Sequence, residues 1–152
     1  MKNIEHAAGS SAGDVNGAVL AEWWRRLVAV VIDTAVLWAP MWVVTHNMDR
    51  MPRTVISVVV GVIYFALLNG GAAGQTLGKM ALGIRVRDAA TGGPVGPSKA
   101  ALRYIVPALL AFVTFGLVWL LDGLWPLWDR RRQALHDKLA GSVVVNAKEK
   151  VF

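Results

Sequence analysis

One acidic residue, Asp33, lies inside a long apolar stretch and is the first candidate for chemistry. The eighteen residues from Leu27 to Val44 are apolar except for Asp33, Thr34 and Pro40. As a helix at about 1.5 Å per residue they span roughly 27 Å, close to the hydrocarbon thickness of a bilayer. A carboxylate at that depth costs about 2.5–3.5 kcal/mol on insertion scales. The stretch predicts a transmembrane helix in which Asp33 binds a cation, carries a proton or forms a buried structural pair.

The partner of Asp33 is expected to be a basic residue. Arg26 precedes Asp33 by seven residues, on the same helix face but about 10 Å away along the axis, which is long for a direct ion pair. A residue elsewhere in the chain, such as Lys79 or Arg103, is therefore favoured over Arg26. A polar cavity that reaches Asp33 would support transport, and a dry pair would support a structural role.

Two further apolar runs predict more membrane segments. Val55–Leu68, extended by Asn69–Gly74, reaches the length of about 20 residues that a crossing needs. The third run, Tyr104–Trp128, contains Gly116 and the pair Asp122–Gly123, and predicts an interrupted segment. It either crosses once or turns back near one of these glycines.

The distribution of basic residues favours the arrangement that turns back. If the third run turns back, one side of the membrane holds three groups of basic residues: three before the first helix, five in the middle loop and six in the C-terminal part. The first loop, with two, lies on the other side. The positive-inside rule then makes the larger group cytoplasmic, together with the N-terminus.

Short β-branched segments predict a small β element on the cytoplasmic side. Ile84–Val86 and Val143–Val145 are strand-like and pair if the third run turns back, although Val95 is an alternative return strand. Pro97 and Ser98 predict the start of a helix.

Composition limits the class of protein. The chain has 152 residues, 55% of them hydrophobic, a mean hydropathy of +0.48, a net charge of +6 and no cysteine. Disulfides and thiol nucleophiles are excluded, and the basic excess indicates anionic lipid headgroups rather than nucleic acid. We expect a disordered cytoplasmic tail over residues 1–21, a membrane domain over 22–146 and a charged tip over 147–152.

Three polar residues near the C-terminus are further candidates. Asp122 either lines a cavity or caps a helix after Gly123. Asp137 is either a gate or proton entry point, or an anchor that pairs with Lys79 or Arg85. His136 precedes Asp137 directly, and its spacing from the other histidines predicts no metal site.

Three sequence motifs follow one another along the chain: Arg26 with Asp33, GQTLGKMALGIRV at 74–86 and RRRQALHDKLAGSVVV at 130–145. In this order they resemble the RDD family of bacterial membrane proteins. The resemblance assigns the family's arginine and two aspartates to Arg26, Asp33 and Asp137. Ser142 stands where the family usually has threonine, which keeps the hydroxyl. The resemblance implies an integral membrane protein, with transport of an unidentified ligand suggested for the family and ion–proton exchange for some members.

The apolar runs predict an all-α membrane protein, and the resemblance implies that it lies in the bacterial inner (plasma) membrane. We expect a small bundle of three to four membrane segments with the β element, working as a homo-oligomer or in a larger membrane complex. No catalytic constellation, cofactor or metal is expected. The first functional hypothesis is transport of a small ion or solute, and the alternative is a non-catalytic accessory subunit.

Overall fold

The computed structural model describes residues 14–15 and 17–147, and this part of the chain is mostly helical. The elements are, in chain order, β1 (Asp14–Val15), β2 (Ala18–Val19), α1 (Trp23–Thr45), α2 (Arg50–Gly70), α3 (Leu77–Ala81), β3 (Ile84–Asp88), α4 (Pro97–Val113), α5 (Leu117–Leu124), a 3₁₀ turn (Trp125–Leu127), α6 (Leu135–Leu139) and β4 (Ser142–Asn146). Helix α4 begins at Pro97, as predicted, because proline fits the first turn of a helix.

Helices α1 and α2 are long and apolar enough to cross a membrane. They have 23 and 21 residues, and only 11% of the most apolar stretch of each helix is buried inside the protein. Side chains such as Val31, Trp38 and Val43 remain exposed. The core helix of a soluble protein would be mostly enclosed, so these surfaces fit hydrocarbon better than water.

The third apolar run is interrupted at the predicted glycine. Helix α4 ends at Val113, and α5 begins at Leu117 after Phe115 and Gly116, whose φ angles are 51° and 86°. Two successive residues in the left-handed region reverse the chain, and α5 packs back against α4.

The small sheet joins the middle of the chain to its C-terminal part. Strands β3 and β4 are antiparallel with Val86 opposite Val144, so the predicted pairing is confirmed. The alternative return strand at Val95 is wrong. Val95 lies in the loop before α4, where its side chain packs into the core beside the sheet.

The segment before α1 adds to this sheet, which corrects the prediction of a disordered tail to residue 21. Leu20 bridges to Val145, and the Ala21 N–H donates to the Val144 carbonyl at 2.9 Å. Ala18, Leu20 and Ala21 are buried. Burial of these apolar side chains against β4 orders residues that look polar and glycine-rich on average. The rest of the predicted tail, at 1–13 and Asn16, and the tip at 148–152 lie outside the described residues.

Candidate functional site

Asp137 lies at the centre of an ion-pair cluster that we call the Asp137 latch, formed by Arg26, Arg103 and Asp137. Arg26 Nη1 donates to Asp137 Oδ2 at 2.8 Å, and Arg103 Nη2 donates to Oδ1. The Ala134 N–H donates to Oδ2 at 3.1 Å, which caps α6. Asp137 is fully buried. The latch therefore ties α1, α4 and α6 together.

The electrostatics of the latch favour an ionised Asp137. Burial alone would raise the pKa of its carboxyl group, but the charges of Arg103, His136 and Arg26 hold that pKa well below its usual range. The anchor predicted for Asp137 thus uses basic residues other than Lys79 and Arg85, which were expected. Arg26 and Arg103 take that place because α1 and α4, rather than the middle loop, contact the start of α6.

Arg26 does not pair with Asp33. Side chains in a helix tilt toward its N-terminus, so Arg26, on the first turn of α1, extends away from Asp33 and reaches α6. No lysine, arginine or histidine nitrogen in the described part of the chain lies within 4.0 Å of the Asp33 carboxylate. The prediction of a basic partner for Asp33 is therefore wrong.

Asp33 is instead bound by uncharged donors, which we call the Asp33 clasp. The hydroxyl of Tyr64 donates to Oδ1 at 2.8 Å, that of Thr76 to Oδ2 at 2.5 Å, and the Gly78 N–H to Oδ1 at 2.7 Å. Asp33 is 1% exposed. The clasp joins α1, α2 and the start of α3 at a position inside the apolar run of α1. None of these three donors carries a positive charge that would neutralise the carboxylate.

Gly78 makes the close approach of α3 to α1 possible. A Cβ at this position would lie 2.1 Å from the Ala29 carbonyl oxygen and 3.0 Å from Asp33 Cγ. Any side chain here would push α3 away and break the hydrogen bond from the Gly78 N–H. The predicted membrane carboxylate therefore depends on a glycine 45 residues later in the chain.

Lys79 follows Gly78 directly and bonds to α2. Its Nζ donates to Asn69 Oδ1 at 2.5 Å, and its side chain is partly buried. Burial and the positive charge of Arg103 lower the pKa of Lys79 to about 7, against the opposing influence of Asp137 and Asp33. The amine thus lies in the electrostatic field of both the latch and the clasp.

His136 connects the latch to Asp122. Asp122 Oδ1 accepts the His136 N–H at 2.9 Å, so Asp122 caps α6 from α5. His136 Nδ1 lies 2.5 Å from Asp122 Oδ2, and Nε2 lies 3.4 Å from Asp137 Oδ1. The imidazole therefore bridges two carboxylates.

The formal charges of these groups balance when His136 is neutral. The positive groups are Arg26, Lys79 and Arg103, and the negative groups are Asp33, Asp122 and Asp137. Within the described residues, no group of three histidine or acidic side chains is placed to hold a metal ion. A cation that enters the site would make it net positive unless one positive charge leaves.

Comparison with known families gives a match to the RDD family over residues 20–141, a range that contains the latch and the clasp. The chain belongs to the RDD family. Its motif residues therefore divide between two sites, with Arg26 and Asp137 in the latch and Asp33 in the clasp.

Curated relatives cover different shares of this RDD chain. An uncharacterized protein of Haemophilus influenzae is 31% identical over 95% of this chain and 90% of its own length. The uncharacterized protein YckC of Bacillus subtilis is 32% identical over 84% of this chain and 85% of its own. The proline-rich antigen homolog of Mycobacterium tuberculosis is 35% identical, but the match covers 49% of this chain and 29% of that protein. No solved structure matches.

Sequence reasoning missed three of the residues that hold this site. Tyr64 and Asn69 are polar residues in and just after the apolar run of α2, and this isolated polarity is a signal of an inward-facing contact. Thr76 gives no such signal, because its contact with Asp33 depends on how the short α3 segment folds back onto α1.

Proposed function

We propose that this RDD-family protein moves a small cation or a proton across a membrane, with Asp33 as the binding group. The observation that carries the proposal is the Asp33 clasp, a buried carboxylate in an apolar helix that receives hydrogen bonds from uncharged groups. An unneutralised carboxylate is costly in such surroundings, and a bound cation or proton removes that cost.

Access to Asp33 requires α3 to move in this proposal. Asp33 is 1% exposed, and two of its three donors, Thr76 and Gly78, belong to the α3 segment. A shift of this five-residue helix away from α1 frees one or more carboxylate oxygens for a cation. Helix α3 therefore acts as the gate, and Tyr64 of α2 stays as a fixed donor.

Exchange of the cation for a proton follows from the charge balance. When a cation binds to Asp33, loss of a proton from Lys79 restores the formal charge. The pKa of Lys79, about 7, allows that proton to leave near neutral pH. Lys79 adjoins Gly78, so movement of the gate changes the surroundings of both groups.

The membrane setting is part of the proposal. The protein lies in the bacterial inner membrane as a multi-pass, non-catalytic protein with a cytoplasmic N-terminus, as the bias of basic residues favours. Helices α4 and α5 form a third, re-entrant membrane element. Few helices surround Asp33, so a homo-oligomer completes the wall of the pathway.

Flux in proteoliposomes tests the proposal. Purified full-length protein is reconstituted, and proton and monovalent-cation flux are compared with Asp33→Asn at matched insertion. Asp49→Asn is the control, because Asp49 is exposed and makes no side-chain cap bond at the start of α2. We expect flux in the wild type and in Asp49→Asn but not in Asp33→Asn. Equal flux in Asp33→Asn and the wild type would remove Asp33 from the pathway.

A second candidate function is a non-catalytic accessory subunit of a larger membrane complex. The observation that favours it is the closed clasp, since Asp33 meets protein donors rather than water, together with exposed tryptophans on α1 such as Trp38 and Trp42. This function predicts no flux in a correctly folded wild type. It also predicts one membrane protein that co-purifies in fixed stoichiometry in mild detergent and is lost when Trp38 and Trp42 are changed to leucine.

A further inference from the structure

The start of α1 and the end of α5 lie side by side. The indole Nε1 of Trp23 donates to the Gly123 carbonyl at 2.7 Å across 100 residues of sequence. This contact places the first turn of α1 beside the segment Trp125–Arg131 that follows α5. Side chains of these two distant segments therefore reach the same level of the molecule.

Along the C-terminal segment, exposed side chains change in a fixed order from apolar to aromatic to basic. Within Trp125–Arg131, Leu127 is 55% exposed, Trp128 is 58% exposed, and Arg130 and Arg131 are exposed beyond it. This order matches the order of hydrocarbon, interface and headgroup in a bilayer.

The first turn of α1 carries the same three kinds of side chain, with Trp24 and Arg25 before the apolar residues. Glu22 accepts a hydrogen bond from the Trp24 indole at 2.5 Å and lies 3.9 Å from Arg25 Nε. Arg25 lies with its guanidinium carbon 5.5 Å from the centroid of the Trp24 ring, and exposed Leu27 and Val28 follow. Two segments that are distant in sequence thus indicate that lipid headgroups lie beside the first turn of α1 and the turn after α5.

The turn that carries the basic side chains is held in shape. Asp129 Oδ2 accepts the backbone N–H groups of Arg131 and Gln133 at 3.1 and 2.9 Å, and Lys138 pairs with Oδ1 at 2.5 Å. Neither Arg130 nor Arg131 has a carboxylate oxygen within 4.0 Å among the described residues. Their positive charges therefore face outward without an internal counter-ion.

We propose that anionic phospholipid headgroups bind to a basic–aromatic belt formed by Trp24, Arg25, Trp128, Arg130 and Arg131. The tryptophan rings lie at the interface, and the guanidinium groups form charge-assisted hydrogen bonds with headgroup phosphates. Each arginine adds to the attraction toward a negatively charged lipid surface. The belt fixes the depth of the small sheet, and this inference is independent of the proposed transport.

Thermal unfolding in nanodiscs tests the belt. Wild type, the double variant Arg130→Gln/Arg131→Gln and the control Arg50→Gln are each compared in phosphatidylglycerol and phosphatidylcholine discs. Arg50 is exposed at the opposite end of α1, at the start of α2. We expect phosphatidylglycerol to raise the Tm of wild type and Arg50→Gln, and this increment to be lost in the double variant. Phosphatidylcholine discs should give all three proteins the same Tm.

Several results would overturn the proposal. One is equal Tm values for the wild type in the two lipids. Another is a phosphatidylglycerol increment that survives in the double variant, and a third is its loss in Arg50→Gln as well. Inorganic phosphate added to phosphatidylcholine discs should leave the Tm unchanged, because a free anion lacks the interface that the tryptophans need. A double variant that unfolds early in phosphatidylcholine as well would assign Arg130 and Arg131 to folding rather than to lipid.

Discussion

At the scale of single residues, the two motif aspartates differ in the charge of their partners. Asp137 has two guanidinium groups within hydrogen-bonding distance, whereas Asp33 has two hydroxyls and an amide. Charge neutralisation favours a structural role for Asp137, and its absence makes Asp33 the binding group in the proposed function. Substitution should therefore affect stability at one site and transport at the other.

Asp137→Asn should lower the free energy of unfolding by about 3–5 kcal/mol, because it leaves two buried guanidinium groups without a counter-ion. Chemical unfolding in mixed detergent micelles measures this loss. Asp49→Asn, at an exposed position, should change the free energy by less than about 0.5 kcal/mol. A small loss in Asp137→Asn would show that the latch is dispensable.

Lys79 should make stability depend on pH. Its pKa is lowered to about 7 in the folded protein from 10.5. The free energy of unfolding is therefore reduced at every pH at which the amine is charged in the unfolded chain. The reduction is complete below about pH 7 and is relieved as the pH rises toward 10.5. The Tm of Lys79→Met relative to the wild type should therefore be higher at pH 6 than at pH 9.

The matched control for this pH trend is Asn69→Ala, which removes the partner of Lys79 but keeps the amine. That variant should show the trend of the wild type. A Tm difference between Lys79→Met and the wild type that stays constant from pH 6 to pH 9 would contradict the lowered pKa.

Sequence identified the ionisable residues of the site but not their pairing. The position of Asp33 inside an apolar run is visible from the sequence, because a membrane helix can be predicted from hydropathy alone. Its donors Thr76 and Gly78 lie 43 and 45 residues away in sequence. A long arginine side chain can reach several neighbours. Arg26 pairs with Asp137 rather than Asp33 because α6 packs beside the first turn of α1, which the sequence does not show.

At the scale of elements, glycines determine how closely α2 and α4 approach. A Cβ at Gly70 would lie 2.6 Å from backbone atoms of Gly96 and Pro97, and one at Gly61 would lie 2.4 Å from the Tyr104 hydroxyl. The backbone at the start of α4 is fixed by proline, whereas the end of a tyrosine side chain can move. The two glycines therefore tolerate substitution differently.

Gly70→Ala should destabilise the protein by about 1–3 kcal/mol through overpacking. Gly61→Ala should cost less than about 1 kcal/mol, because Tyr104 can shift and alanine is favoured over glycine within a helix. Thermal unfolding in detergent ranks the two variants. The reverse ranking would mean that α4 is not held against Gly70.

The elements were easier to predict than their contacts. Apolar runs gave α1 and α2, and the β-branched segments gave β3 and β4, because each pattern is local. The docking of Leu20 onto Val145 was missed because Ala18–Ala21 is too short to show a strand period. The same limit led to the wrong return strand at Val95, which is buried without being paired.

At the scale of the whole molecule, the sheet constrains the proposed membrane topology, because paired strands must lie on the same side of the membrane. Strands β3 and β4 pair along their full length, and the residues before α1 join them. The connection between α1 and α2, at 46–49, lies at the far end of two helices that are each long enough to cross.

Single-cysteine labelling can test this topology directly, because the chain has no cysteine of its own. Asn47→Cys should react with an impermeant maleimide from one side of sealed vesicles. Ala90→Cys and Arg131→Cys should both react from the other, and all three positions are exposed. Labelling of all three from one side would exclude the crossing of α1 and α2.

The latch also has a consequence for the order of biosynthesis. Arg26 and Asp137 are separated by 111 residues, so the ribosome adds that many residues after Arg26 before its partner is made. At about 5–20 residues per second, that interval is on the order of ten seconds. Until Asp137 is made, Arg26 and, once it is synthesised, Arg103 lack this counter-ion, and we expect them to act as positive charges under the positive-inside rule. A product truncated before Asp137 would contain Arg26 and Arg103 but could not form the latch. We expect cellular proteases to degrade such an incompletely folded product.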